Sequence, residues 1–201
     1  PSSGTVTSTK DPTLPTLAST DVTLYEKIEL LSPESFPALE NATTPQARAL
    51  EWALAQPTPS LEQYSLATLH FSSTNQNWIN NNEWLASSNV CQWNGITCNG
   101  DNVTQIDLSN INLASTLPDE LSLLADLQVL SISGGRLTGT IPTSYGGRLT
   151  NLEQIILERN NLGGPLEEIG ALTKLSTLDI SDNDFSAIPT EFGLLTNLGT
   201  Y

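Results

Sequence analysis

The sequence has few of the side chains from which catalytic and metal sites are built. Its 201 residues include one histidine and two cysteines. It contains no G-x-S-x-G nucleophile motif, no phosphate-binding loop and no kinase signature. His70 has no partner ligand at metal-binding spacing, so we expect it at a helix surface or boundary. We therefore predict a protein that is not an enzyme and holds neither a metal nor a cofactor.

Positive charge and long apolar runs are also scarce. Seven lysines and arginines against 22 acidic residues give a net charge of −15. Repulsion from phosphate disfavours nucleic acid and anionic membrane surfaces as partners. No run of about 20 apolar residues is present. We expect no membrane insertion within the chain, and an anchor in a parent protein would lie outside it.

The first part of the chain changes in composition near residue 24. Residues 1–23 are rich in Ser, Thr and Pro and cannot bury enough apolar surface to offset their ordering entropy. We predict a linker or stalk there, either O-glycosylated or a plain disordered tail. Two helices should follow, one with Thr44 as N-cap and Pro45 in its first turn, and one from Ser60 to about Ser73.

A repeat of 23 to 25 residues occupies residues 103–201. Each copy fits L-x-x-L-x-L-x-x-N-x-L, with alternating apolar positions that should point inward from a short strand. Asparagine at the ninth position can bond backbone groups where the chain leaves the strand, as at Asn160 and Asn183, whereas Ile111 and Gly135 interrupt that series. Copies begin at Val103, Leu127, Leu152 and Leu175, and a fifth, cut off at Tyr201, begins at Leu198. The inward pairs are Ile106 and Leu108, Leu130 and Ile132, Ile155 and Leu157, and Leu178 and Ile180.

The second half of each copy, for example LTGTIPTSYGGRLTN, resembles the plant-type leucine-rich repeats. These occur in receptor-like kinases, receptor-like proteins and polygalacturonase-inhibiting proteins. The resemblance implies an α/β fold: a right-handed leucine-rich-repeat solenoid with a parallel sheet on its concave face and a helical, disulfide-closed N-terminal cap. It also implies a second short strand near the I-P dipeptide on the flank.

The stretch before the first repeat resembles the N-terminal cap of the same family. The matching residues are Trp84, Leu85, Cys91, Trp93, Gly95, Ile96 and Cys98. The resemblance implies a Cys91–Cys98 disulfide, with Trp78, Trp84 and Trp93 covering the open end of the core. We divide the remainder of the chain into a lead-in and cap, 24–102, and repeats, 103–201. Residues 44–78 further resemble the lead-in of leucine-rich-repeat proteins from diatoms and related algae.

The compartment and the ligand are predicted less directly. A disulfide requires oxidising surroundings, and N-glycosylation sequons at Asn41 and Asn102 agree with an extracellular or cell-surface location. The DISDND stretch raises the alternative of calcium, but it lacks the spacing of a calcium loop, so we expect an ordinary turn.

Outward strand residues should form a concave ligand-binding face, polar and acidic with a small apolar patch. We expect a receptor-like ectodomain that binds a protein, peptide or polysaccharide. The alternatives are a structural or adhesive wall protein, or an inhibitor of a wall-degrading hydrolase. The predicted binding residues are Gln105, Asp107, Gln128, Val129, Ser131, Glu153, Ile156, Glu158, Arg159, Thr177 and Asp179.

Overall fold

The computed structural model describes residues 21–74 and 83–199. The predicted linker therefore lies almost wholly outside the described residues, as does the predicted cap residue Trp78. The first helix, α1, begins at Asp21, three residues before the predicted boundary. In the described part, no helix is both long and apolar enough to cross a bilayer.

Four α-helices and a short 3₁₀-helix (Pro33–Ser35) make up the described lead-in, and both predicted start signals are confirmed. The Thr44 hydroxyl accepts a hydrogen bond from the Ala47 amide at 3.2 Å. At the next helix, the Gln63 amide donates to Ser60 Oγ and the Ser60 amide donates to Gln63 Oε1, which forms a capping box. The helices are α1 (Asp21–Leu31), α2 (Phe36–Leu39), α3 (Pro45–Leu54) and α4 (Leu61–Ser72).

Helix α4 lies between two apolar cores, one formed by the lead-in and one by the repeats. Both of its faces are therefore covered. Its Tyr64 and Ala67 pack with the lead-in, and its Leu66 and Leu69 pack with the repeats. This position corrects one expectation, since His70 is only 7% exposed and stacks on Trp84. Burial, and secondarily the charge of Arg48, lowers the pKa of His70.

The main sheet, within the described residues, has five strands in the order β1-β2-β3-β5-β7. Strand β1 pairs antiparallel with β2, and β2, β3, β5 and β7 run parallel, one from each of the four full repeats. The predicted inward residues are buried, except that Ile180 in the last copy is half-buried. The strands are β1 (Ile96–Asn99), β2 (Asn102–Asp107), β3 (Val129–Ser131), β5 (Gln154–Ile156) and β7 (Thr177–Asp179).

A second, shorter parallel sheet lies on the flank. It pairs β4 (Thr138–Gly139) with β6 (Asn161–Leu162). Strand β4 lies just before the I-P dipeptide, in the region where the resemblance implies a second strand. Ile141 is buried in the core, and Pro142 has no N–H to donate to a neighbouring strand.

Two asparagines join successive copies, as their ninth position predicts. The Asn160 side-chain amide donates to the Ile132 carbonyl of the preceding copy at 2.7 Å, and its oxygen accepts from the Leu137 amide. Asn183 repeats the arrangement one copy later, where it donates to Leu157 and accepts from Leu162. Each asparagine thus satisfies backbone groups that the chain reversal would leave unpaired.

Short helices return the chain along the convex side. Three of them are 3₁₀-helices, and Tyr145 of the α-helix between them donates from its hydroxyl to the Pro118 carbonyl at 2.9 Å. These helices are Asp119–Leu123, α5 (Ser144–Arg148), Glu167–Ala171 and Thr190–Leu194.

The Cys91–Cys98 disulfide predicted from the cap resemblance is present, with a Cα–Cα distance of 5.7 Å. Trp93, between the two cysteines in sequence, is buried and contacts Trp84, with 4.9 Å between ring centroids. The described aromatic cluster is completed by Trp52 of α3, 5.4 Å from Trp93. A lead-in helix therefore contributes to closing the solenoid.

The last described repeat leaves an apolar groove of about 760 Å³ at the other end of the core. Phe185, Phe192 and Leu198 line it. Ile188 and Leu194 in the same copy are 68% and 63% exposed.

Gly95 should be the residue of the cap least tolerant of substitution. Its φ is +84°, and a Cβ there would collide with the Asp107 carbonyl oxygen and Leu108. We expect Gly95→Ala to lower the free energy of unfolding, measured in urea, by about 3 kcal/mol. The cost of a left-handed alanine adds to the cost of the clash with the backbone. Gly100→Ala is the control, because Gly100 shares a positive φ but has open space around it. It should cost only about 1 kcal/mol, and equal losses would contradict the predicted clash.

Candidate binding face

The register of the parallel strands places the outward side chains in rows. Gln105 pairs with Val129, Val129 with Gln154, and Gln154 with Thr177. Two residues further along each strand, the row consists of Asp107, Ser131, Ile156 and Asp179. Since neighbouring strands lie about 4.8 Å apart, these predicted binding residues form one continuous surface.

The remaining predicted residues lie at the two edges of this surface. Gln128 and Glu153 precede the rows, and both are exposed. Glu158 and Arg159 follow β5 where the chain leaves the sheet. The structure thus brings together all the residues expected on the concave face.

Ser131 is the predicted residue least able to meet a ligand. It is 8% exposed, and its hydroxyl shares a hydrogen bond of 2.9 Å with the hydroxyl of Ser109. Ser109 also accepts from the Ser133 amide. These small hydroxyls join adjacent strands, so Ser131 serves the sheet and is removed from the predicted binding set.

Two aspartates on the face are oriented by the chain that follows them. Asp107 accepts from the Ser109 amide at 3.2 Å. Asp179 accepts from both the amide and the hydroxyl of Ser181, at 3.1 and 2.6 Å. Both carboxylates therefore stand in fixed positions at the strand exit. Among the described residues, no group of three or more His, Cys, Asp or Glu side chains is placed to hold a metal ion.

Arg159 brings positive charge into this otherwise acidic surface. Its guanidinium lies 3.5 Å from Glu158 and 3.6 Å from Asp182. The arginine and Asp182 are both well exposed, so such pairs contribute little stability. The pairs instead offset the positive charge of Arg159, because each places a carboxylate beside its guanidinium group.

The position of Arg159 requires a left-handed backbone in every described copy. The φ values at this eighth position are +59° at Asn110, +61° at Gly134, +54° at Arg159 and +53° at Asp182. Asn, Gly and Asp tolerate that conformation, whereas a long side chain is strained by it. Strain kept at one position of a surface is a feature of functional sites. The repeat pattern alone did not indicate this, since it assigns no type to the eighth position.

The two predicted glycosylation asparagines are both exposed. Asn41 lies in a turn, and its side-chain oxygen accepts from the amide and hydroxyl of Thr43, the third residue of the sequon. Asn102 begins β2, and its side-chain nitrogen donates to Asp126 at 2.6 Å. The nitrogen that would carry a glycan is thus engaged at Asn102.

Comparison with known proteins agrees with this geometry. The Leucine Rich Repeat family model matches residues 174–195. The receptor-like kinase TMK4 of Arabidopsis thaliana is 36% identical over 82 residues, which are 41% of this chain and 9% of that protein. The chain therefore spans less than a tenth of this curated relative.

Two solved structures show the same fold. The BIR2 ectodomain from Arabidopsis thaliana superposes with a TM-score of 0.63 and 29% identity, covering 68% of this chain and 76% of that one. A chain of the BIR3–SERK2 complex, also from Arabidopsis thaliana, gives a TM-score of 0.55 and 27% identity, covering 66% and 77%.

We expect Arg159→Asn to stabilise the protein. Asparagine tolerates a positive φ, so the free energy of unfolding should rise by about 1 kcal/mol. The urea titration should be done in salt concentrated enough to screen the surface pairs. Arg136→Asn is the control, since Arg136 is exposed and is not among the residues with positive φ. A gain shared by both variants, or no gain at Arg159, would show that the arginine is not strained.

The fold is a leucine-rich-repeat solenoid with a disulfide-closed cap, and the similarities, the strand register and the cap together support a plant-type leucine-rich-repeat protein.

Proposed function

We propose that the chain is part of an extracellular, non-catalytic recognition module that binds a protein or peptide on its concave face. The observation that carries this proposal is the set of rows on the main sheet. They hold polar, acidic and apolar side chains at fixed spacings on a rigid scaffold. The likeness to ectodomains, one of them solved within the BIR3–SERK2 complex, supports the proposal.

The chemistry of the face favours a partner that carries positive charge. Asp107, Glu153, Glu158 and Asp179 outnumber Arg159 there. Complementary charge speeds encounter and orients the partner more than it adds affinity. Val129 and Ile156 lie diagonally on neighbouring strands and are half-buried, so one apolar side chain of the partner can pack on them.

The extracellular location is supported by the cap disulfide and by the two exposed sequons. We also propose the three-part division predicted from the sequence, with a linker at 1–23, a lead-in and cap at 24–102 and repeats at 103–201. The resemblance of the lead-in to leucine-rich-repeat proteins from diatoms and related algae stays a prediction. Comparison with sequences of those proteins would test it.

Charge reversal on opposite sides of one repeat tests the binding face. Peptides would be selected from a random display library against the unmodified chain, and we expect them to be rich in lysine and arginine. Glu153→Lys with Glu158→Lys should weaken their binding by at least about tenfold, since it removes two attractive charges and adds two repulsive ones.

The matched control is Glu167→Lys with Glu168→Lys. Both glutamates are exposed in the convex 3₁₀-helix of the same copy, so the change in net charge is identical. Affinity should stay within about twofold of the unmodified chain. Equal losses in the two variants would mean that net charge alone governs binding. A loss confined to the convex variant would place the binding site on the other side.

Intact mass measured before and after N-glycosidase treatment tests the location. Protein from its native source should lose a glycan at Asn41, whose exposed side chain is seen to hydrogen-bond through its oxygen. We expect lower occupancy at Asn102. Bare asparagines together with free thiols at Cys91 and Cys98 would contradict an extracellular location.

A further inference from the structure

One position of the convex 3₁₀-helices holds a glutamate in three copies of the repeat. This glutamate is exposed in two of the copies and buried in the first. Glu120 is the second residue of its convex 3₁₀-helix, as are Glu168 and Glu191 in theirs. Glu168 and Glu191 face solvent, whereas Glu120 is 1% exposed. The difference arises because the helical lead-in packs over the first repeat, where Leu123 joins the lead-in core.

The lead-in surrounds the Glu120 carboxyl group with neutral polar groups. The Ser35 hydroxyl donates to Glu120 Oε1 at 2.6 Å and lies 2.8 Å from the hydroxyl of Ser32. The Gln46 side chain of α3 and the backbone of Glu120 itself also act on the carboxyl group, and both favour its ionised form. The second oxygen, Oε2, is buried without a hydrogen-bond partner among the described residues, and so is the hydroxyl of Tyr64 on α4.

Burial and the unpaired second oxygen favour a neutral carboxyl group, and they act against the donors to the carboxyl group, which favour the charged form. A carboxylate in this place leaves a charged oxygen unsatisfied in the interior, which is far more costly than a buried neutral group. The protonated group removes that charge from the interior. In the part of the chain that the structure describes, the titratable groups that interact electrostatically with Glu120 are Asp119, Tyr64 and Tyr145, and none is a cation.

We propose that Glu120 is an acid-closed clasp, which holds the lead-in on the first repeat when its carboxyl group is protonated and loosens it when the group ionises. This goes beyond the recognition function, because the clasp lies on the convex side, away from the concave face. It makes the position of the lead-in responsive to the acidity of the surroundings.

The direction of the effect follows from the burial of the group. Burial raises the pKa of Glu120 above its ordinary value of 4.5, and the hydrogen bond from Ser35 opposes part of that rise. With the lead-in undocked, Glu120 would be exposed like Glu168 and would keep an ordinary pKa. Docking is therefore strongest below pH 4.5 and weakens as the pH rises through the raised pKa of the docked form.

Hydrogen exchange of the full chain, with the disulfide intact, tests the clasp. The readout is the opening constant of amides in α1 and α3, corrected for intrinsic exchange, in the unmodified chain and in Glu120→Gln. Glutamine imitates the protonated group in shape and charge. The opening constant of the unmodified chain divided by that of Glu120→Gln should rise with pH. The rise should be up to about tenfold per pH unit between the pKa of Glu120 in the undocked form and its pKa in the docked form.

Two further variants complete the test. Glu168→Gln should behave as the unmodified chain does, because that glutamate is exposed. Ser35→Ala keeps the carboxyl group and removes the donor that favours its ionised form, so the rise should extend to higher pH. A ratio that does not change with pH would overturn the proposal, as would a Ser35→Ala variant with the same pH dependence as the unmodified chain.

Discussion

Each repeat carries an apolar edge that it cannot bury alone, and the structure depends on stacking these edges against one another. Leucine and isoleucine from successive copies fill one continuous core, with Ile106, Leu130, Ile155 and Leu178 in register across the sheet. The same stacking fixes the spacing of the outward side chains. The concave face is thus ordered because the core behind it is ordered.

A stack of this kind needs a cover at its ends, and the cap meets that need at the first repeat. Trp84, Trp93 and the disulfide close the core, while Trp52 adds an aromatic ring from the lead-in. The lead-in also reaches around to the convex side and encloses Glu120. Closing the core and burying an acid are therefore two results of one packing arrangement.

Much of this architecture could be predicted from the sequence, because it rests on local patterns. The repeat period identified the inward residues, Thr44 and Ser60 identified helix starts, and the cap motif indicated the disulfide. The misses concern packing between distant segments. Neither the burial of His70 and Glu120 nor the role of Trp52 in the cap has a local signal, since each depends on how the lead-in folds back. The left-handed eighth position was missed because the repeat pattern assigns it no residue type, although Asn110, Gly134 and Asp182 are types that tolerate a positive φ and only Arg159 departs from them.

The central claim is that the rows of outward side chains on the main sheet bind a partner. Hydrogen–deuterium exchange of the chain, with and without a basic peptide selected from a display library, tests it most directly. We predict slower exchange around β3, β5 and β7, with no change in the convex 3₁₀-helices. Protection confined to those helices, or to the groove beside Phe185 and Phe192, would contradict the claim.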